Sequence, residues 1–339
     1  MIKQLYILAI FLILVLQKSY GQDNFYFSQY FQMSQAINPG FAGINNFLDM
    51  KINHRNQWAG FSDSPTTNFI SINSHLKKES QLTFKEYALR ISNVDILDSL
   101  SNLKNSFKNQ MKSGVGGYLV YDTQGPFEQI SGFLNYAIHL PISFKTRLAI
   151  GASAGIVNNR LNFEKISLRD PDNDDYYQQL LAQGGRNTYF DINPGLVLYS
   201  NSWFLSYAAH KAIRKPLSSD EVMDYDKTID HHIIAGLKIN MGDKNRLVPS
   251  VYVVHNDKTN SYWESNIRAV FNEKPWFGVS YRSTKALVFM AGIFANNMFN
   301  ISYSYDYLIS DLNNYANGSH ELHLGLMLNK KDLKTPYLW

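Results

Sequence analysis

The chain has 339 residues, of which 45% are hydrophobic and 14% aromatic, with 22 Tyr, 21 Phe, no Cys and a formal charge of +4. The lack of cysteine excludes disulfides, a cysteine-metal centre and a lipoprotein anchor. A small net charge with no basic cluster argues against nucleic acid as a partner.

Residues 1–21 read as a secretory signal peptide: Lys3, the apolar run Leu5 to Leu16, then small residues ending at Gly21. The run is short for a membrane-spanning helix, which needs about 20 apolar residues. No later apolar stretch reaches that length, so a helical membrane protein is excluded and a β-barrel is not. Residues 22–45, rich in aromatics, Asn, Pro and Gly, form an irregular N-terminal lead-in.

From residue 46 to 329 the pattern is alternation. In the final segment Leu322, Leu324, Leu326 and Leu328 fall on one face, and Glu321, His323, Gly325 and Met327 on the other. Similar alternation marks 46–58, 66–77, 114–123, 128–141, 145–158, 187–199, 202–211, 230–240, 246–255, 261–272, 275–283, 286–295, 298–308 and 318–329. An apolar face opposed by a polar one, on segments longer than ordinary soluble strands, predicts an all-β fold: a transmembrane antiparallel β-barrel of about 14 strands. Aromatic content fits the girdles of such a barrel, though a soluble sandwich can also be Tyr-rich.

If the first strand runs outward, the turns at Asn201, 241–244, 272–274 and 296–297 are periplasmic and short. The longer loops 159–186, 212–229 and 309–317 are then external, the length asymmetry expected of a barrel. One periplasmic connection, 78–113, is long. Its Ile96, Leu100, Leu103, Phe107 and Met111 recur at helical spacing and predict a short amphipathic helix, capped by Asn93 or Asp95. Such a helix would fold against the rim or dock a periplasmic partner. A polar tail, 330–339, follows the last strand.

No motif carries catalysis: the chain has no Gly-rich phosphate loop, His-Glu-x-x-His or Gly-x-Ser-x-Gly. No cofactor is expected. His231 and His232 point to opposite faces of one strand and are not joint metal ligands. Asp170, Asp172, Asp174 and Asp175 lack the calcium-loop pattern and read as a solvated turn. Arg55 and Glu321 both point inward near the outer ends of the first and last strands, which are neighbours in a closed barrel. An Arg55–Glu321 ion pair across the closure seam is therefore expected, fixing the closing register. Asn38-Pro39-Gly40 is turn chemistry, and the segment Asn38, Pro39, Gly40, Phe41, Ala42, Gly43 is a candidate lumen plug or partner-binding element.

Several motifs in order resemble the PorP/SprF barrels of the type IX secretion system. They are the opening Gln22-Asp23 to Phe27-Ser28-Gln29-Tyr30; Ile37 to Gly43; His54-Arg55-Asn56-Gln57-Trp58 with Pro65-Thr66-Thr67; and Gly116-Gly117-Tyr118 to Asp122 with Gly125-Pro126. Leu168 to Asp172, and Tyr305-Asp306-Tyr307 with Gly318-Ser319-His320-Glu321, complete the set. The long 78–113 connection and the tail after Asn329 depart from the family pattern.

The resemblance implies a non-enzymatic integral outer-membrane protein that supports export of a secreted cargo protein, holds the cargo's C-terminal domain, and contacts periplasmic ring subunits and outer-membrane lipid. A solute channel is the alternative, favoured if Lys51, Asn53 and His323 line an unobstructed lumen. A soluble periplasmic enzyme would need a catalytic cluster that the sequence lacks.

Overall fold

The computed structural model describes residues 27–76, 111–143, 145–218, 228–258, 261–296, 298–310 and 315–328. The expected leader, the tail and nearly all of the 78–113 connection, with its proposed helix, lie outside these residues.

Fourteen antiparallel strands close into one barrel. They are β1 (Leu48–Asn56), β2 (Thr66–His75), β3 (Lys112–Gln124), β4 (Phe127–Pro141), β5 (Thr146–Leu161), β6 (Arg186–Ser200) and β7 (Trp203–His210, resuming at Ile213–Ser218). Then come β8 (Asp230–Leu237, resuming at Ile239–Asn240), β9 (Arg246–His255), β10 (Tyr262–Val270), β11 (Pro275–Arg282), β12 (Ala286–Ala295), β13 (Phe299–Leu308) and β14 (Ser319–Leu328). Each strand pairs with its sequence neighbours, and β14 pairs with β1, setting Leu48 opposite Leu328 and Arg55 opposite Glu321. Closure leaves no free sheet edge. Among the described residues no helix is long and apolar enough to cross a membrane.

Several boundaries shift by a few residues from expectation, β5 running on to Leu161, and two shifts change the wall itself. β3 begins at Lys112, so Met111 ends the preceding connection and Lys112 and Ser113 belong to the wall. β7 does not stop at residue 211: it resumes to Ser218 and pairs with β6 through Ile192–Ile213. The interruption lies opposite Pro194, which brings no N–H to a ladder. There Lys211 turns to a left-handed φ of 57° and its amide donates to Asn193 Oδ1 at 2.8 Å. This bulge restarts the pairing, so the external loop begins after Ser218.

Outside, the alternating apolar residues form the lipid-facing surface, for example Leu322, Leu324, Ile301, Phe289 and Val279. Inside, a barrel of this strand number is wider than its own wall side chains can fill. Residues 27–47 enter and fill it. After loose turns they form a short helix, α1 (Ser34–Ile37), and a 3-10 turn, Pro39–Phe41. The apolar core is therefore the contact of lead-in with inner wall. Tyr30, Phe31, Phe41 and Phe47 pack with Phe204, Tyr252 and Trp276; Phe27 and Met33 pack with Phe69, Tyr118 and Phe133.

Candidate functional site: a filled lumen with a polar cavity

A segment with so little regular structure must find partners for its backbone polar groups elsewhere. The inner wall supplies them. Lys51 Nζ donates to Gln32 O (2.8 Å), Asn135 Nδ2 to Gln35 O (2.9 Å), His210 Nε2 to Ile37 O (2.7 Å), His139 Nε2 to Ala42 O (2.7 Å) and Lys112 Nζ to Ile44 O (2.8 Å). In return Gly43 N donates to Asn73 Oδ1 (2.7 Å). These polar inward residues account for the half of the alternation pattern that packing alone does not explain.

The candidate segment Asn38 to Gly43 lies wholly inside. Asn38 Oδ1 accepts from Gly40 N (2.8 Å), the turn its Asn-Pro-Gly sequence favours, while Nδ2 donates to Leu196 O (3.0 Å) and Tyr207 O (2.9 Å). One amide thus ties β6 to β7 from within. Phe41 is fully buried, edge-on to Phe204 at 6.2 Å. Backbone touches backbone at Gly43 and Gly114, where a Cβ on Gly114 would lie 2.3 Å from Ala42 O. These six residues face the wall and present no surface to an external partner.

Near the loop ends of the strands, Arg55 and Glu321 meet across the seam with Nη1 and Oε2 at 3.5 Å. They belong to a larger buried set. Arg55 Nη2 lies 2.8 Å from Asp306 Oδ2, and Arg282 bridges Asp306 (2.9 Å) and Glu264 (3.0 Å). The lead-in is bound into it. Ser28 N and Gln29 N donate to the two Glu321 oxygens (2.6 and 3.0 Å), Ser28 Oγ donates to Asp306 Oδ1 (2.6 Å), and Arg55 donates to Ser28 Oγ. Charges this deep are tolerated because each is paired and hydrogen-bonded. Below them Tyr30 OH meets Ser250 Oγ at 2.7 Å, and desolvation pushes the phenol's pKa well up, so it stays neutral.

The residues Asn56, Gln57, Trp58 and Gly318, Ser319, His320 also meet at this seam. Gln57 N donates to Pro65 O (2.8 Å), Trp58 N to Ser319 Oγ (3.2 Å) and Ala59 N to Gly318 O (2.8 Å). Asn56 Oδ1 accepts from Ser64 Oγ (3.0 Å), and Trp58 packs on Ala286, Leu308 and Ala316. His320 Nδ1 lies 2.6 Å from Tyr303 OH. They form a rim clasp that holds the first loop to the closing hairpin.

Between the lead-in and strands β3 to β9, at the loop end, lies a cavity of about 410 Å³. Phe27, Tyr30 and Ile37 of the lead-in line it on one side. Its polar lining includes Asp191, held by Arg214 (2.7 and 2.5 Å), and Asp230, 3.0 Å from Lys211. Half-buried Lys211, Arg214 and Gln124 connect it to the rim. His210 and His232 stand side by side in it, ring centroids 4.1 Å apart, while His231 faces outward against Tyr207. No cluster of potential metal ligands occurs among the described residues. In the outer loop Asp174 caps α2 (Asp175–Gln183) through Tyr177 N, and Asp170 accepts from Asn173.

Sequence reasoning paired Arg55 with Glu321; it named Ser28 and Asp306 only within family motifs, and Glu264, Arg282 and the cavity not at all. Alternation marks Asp306 as inward-facing; only the fold reveals that the lead-in reaches it.

The family profile described as type IX secretion system membrane protein PorP/SprF matches residues 19–326. No curated protein sequence matches the chain. Among solved structures, the toluene transporter TbuX of Ralstonia pickettii is similar at 8% identity and a TM-score of 0.50, over 87% of this chain and 92% of that one. Outer membrane protein Omp33 of Acinetobacter baumannii is 11% identical, with a TM-score of 0.44 over 84% of this chain and 100% of that one. The likeness to TbuX bears on the barrel fold alone.

Proposed function

The chain belongs to the PorP/SprF family of type IX secretion system membrane proteins, and from that premise we propose that it captures the C-terminal domain of an exported cargo protein and anchors it at the cell surface. It is an outer-membrane component of that system, and its family and fold are those of a secretion or transport component rather than an enzyme. The observation that carries the anchoring reading is the lead-in inside the lumen, its carbonyls held by wall side chains along its length. A barrel filled in this way is suited to holding a partner at its loop rim, where exposed loop backbone and side chains offer contacts, and poorly suited to passing a solute. A solute channel would need residues 27–47 to leave. On the opposite rim the connection between β2 and β3 is the longest in sequence, and we assign contacts with periplasmic ring subunits to that side. Deleting the protein from its native cell tests the reading. One large secreted protein should disappear from the protease-accessible surface while other exported proteins remain. An unchanged set of surface proteins would contradict it.

A further inference from the structure

The cavity at the loop end contains an unbalanced charge. Three carboxylates line it, Asp122, Asp191 and Asp230, against two cations, Arg214 and Lys211. Both cations are engaged: Arg214 grips Asp191 with two hydrogen bonds, and Lys211 Nζ sits 3.0 Å from Asp230, which also accepts from Asn256. Asp122 differs. It is buried, and its hydrogen-bond donors are neutral: Thr67 Oγ1 donates to one oxygen (2.5 Å) and Gln124 Nε2 to the other (3.0 Å). Among the described residues no cation forms an ion pair with it; Arg55 acts on it only through space while its guanidinium contacts Asp306 and Glu321. A buried carboxylate with no cation in contact is costly, and each of its oxygens keeps a second lone pair to offer. Deeper along the same strand face, the lining includes Tyr118 and Phe133, stacked with centroids 5.1 Å apart, and Phe27. A carboxylate at one end of a cavity with aromatic rings further in forms a setting suited to an ammonium or guanidinium carried on an apolar stem. About 410 Å³ accommodates one such group with its stem.

We propose that this cavity binds a cationic group, a lysine or arginine side chain or a free amine, with Asp122 as its counter-charge and Tyr118 and Phe133 as its apolar wall. If the group is a side chain of the cargo, the site is where the cargo is read, and that part rests on the anchoring function proposed above. The cation site itself does not.

The test uses the purified full-length protein in detergent, titrated with N-acetyl-arginine amide and with N-acetyl-citrulline amide, its neutral isostere. The wild type should bind the arginine probe more tightly than the citrulline probe. Asp122→Asn should weaken arginine binding roughly tenfold or more and leave citrulline binding unchanged, because a charge-assisted hydrogen bond is lost. Gln129→Arg, which puts a cation into the cavity from its half-buried rim, should displace the probe as well and keeps the question open to test if the Asn variant folds poorly. Equal binding of the two probes by the wild type, or arginine binding unchanged in either folded variant, overturns the proposal. Cargo display in cells carrying Asp122→Asn then identifies the source. Loss of display with loss of probe binding supports a cargo side chain, and retained display with loss of probe binding supports a free amine. If deleting the whole protein leaves the cell surface unchanged while the probe still binds, the anchoring function fails and the cation site stands.

Discussion

Replacing Arg55 by methionine tests the seam network quantitatively. Arg55 donates to Asp306, Ser28 and Glu321, all buried. Removing one partner of a buried ion pair costs about 3–5 kcal/mol, because the opposite charge is left uncompensated. Here the lower end applies. Asp306 keeps Arg282 and Ser28 Oγ, and Glu321 keeps Ser28 N, Gln29 N and Asn53 Nδ2. We expect a loss of about 3 kcal/mol in reversible urea unfolding from lipid vesicles. Glu321→Gln retains the shape and loses the charge. If the two residues act as one unit, Arg55→Met with Glu321→Gln should cost less than the two single changes added together, by about 1 kcal/mol or more. A single Arg55→Met variant within about 0.5 kcal/mol of wild type, or strictly additive costs, would refute the assignment.

Three further outcomes follow from the filled lumen. Gly114→Val should unseat the lead-in, since a Cβ there meets Ala42 O at 2.3 Å; overpacking of about 1–3 kcal/mol should appear as faster proteolysis within residues 27–47. Phe41→Ala should destabilise the folded barrel by about 3–5 kcal/mol, measured by urea unfolding, and reduce cargo retention; no change in either would remove Phe41 from the account. The wild-type barrel in planar bilayers should show little ion conductance, and a variant lacking residues 27–47 should conduct; the reverse order would contradict a seated plug.

The strands were legible because each carries its own register in two-residue periodicity. Leu322 and Leu324 are exposed while Glu321 and His323 are buried, as alternation requires. The facing of Arg55 and Glu321 follows from counting along two such strands, once closure makes them neighbours. What alternation does not reach is the lead-in, whose path has no period: that Asn38 bridges β6 and β7, or that Ser28 and Gln29 cap Glu321, depends on where an irregular chain comes to rest. The resumption of β7 was hidden for a different reason. Arg214, Lys215 and Pro216 read as loop, and only pairing with β6 past the bulge at Pro194 makes Ile213–Ser218 a strand. The cavity joins β3 to β9 and the lead-in, so its carboxylates come together only in the closed fold.

Crosslinking from the loop rim in native outer membranes, with a photoreactive residue at Gln129 beside the cavity and mass spectrometry of the adducts, tests the central claim most directly. The account predicts adducts to the C-terminal domain of one large secreted protein. A well-folded barrel that gives no polypeptide adduct, and that passes small solutes in liposomes, would contradict it.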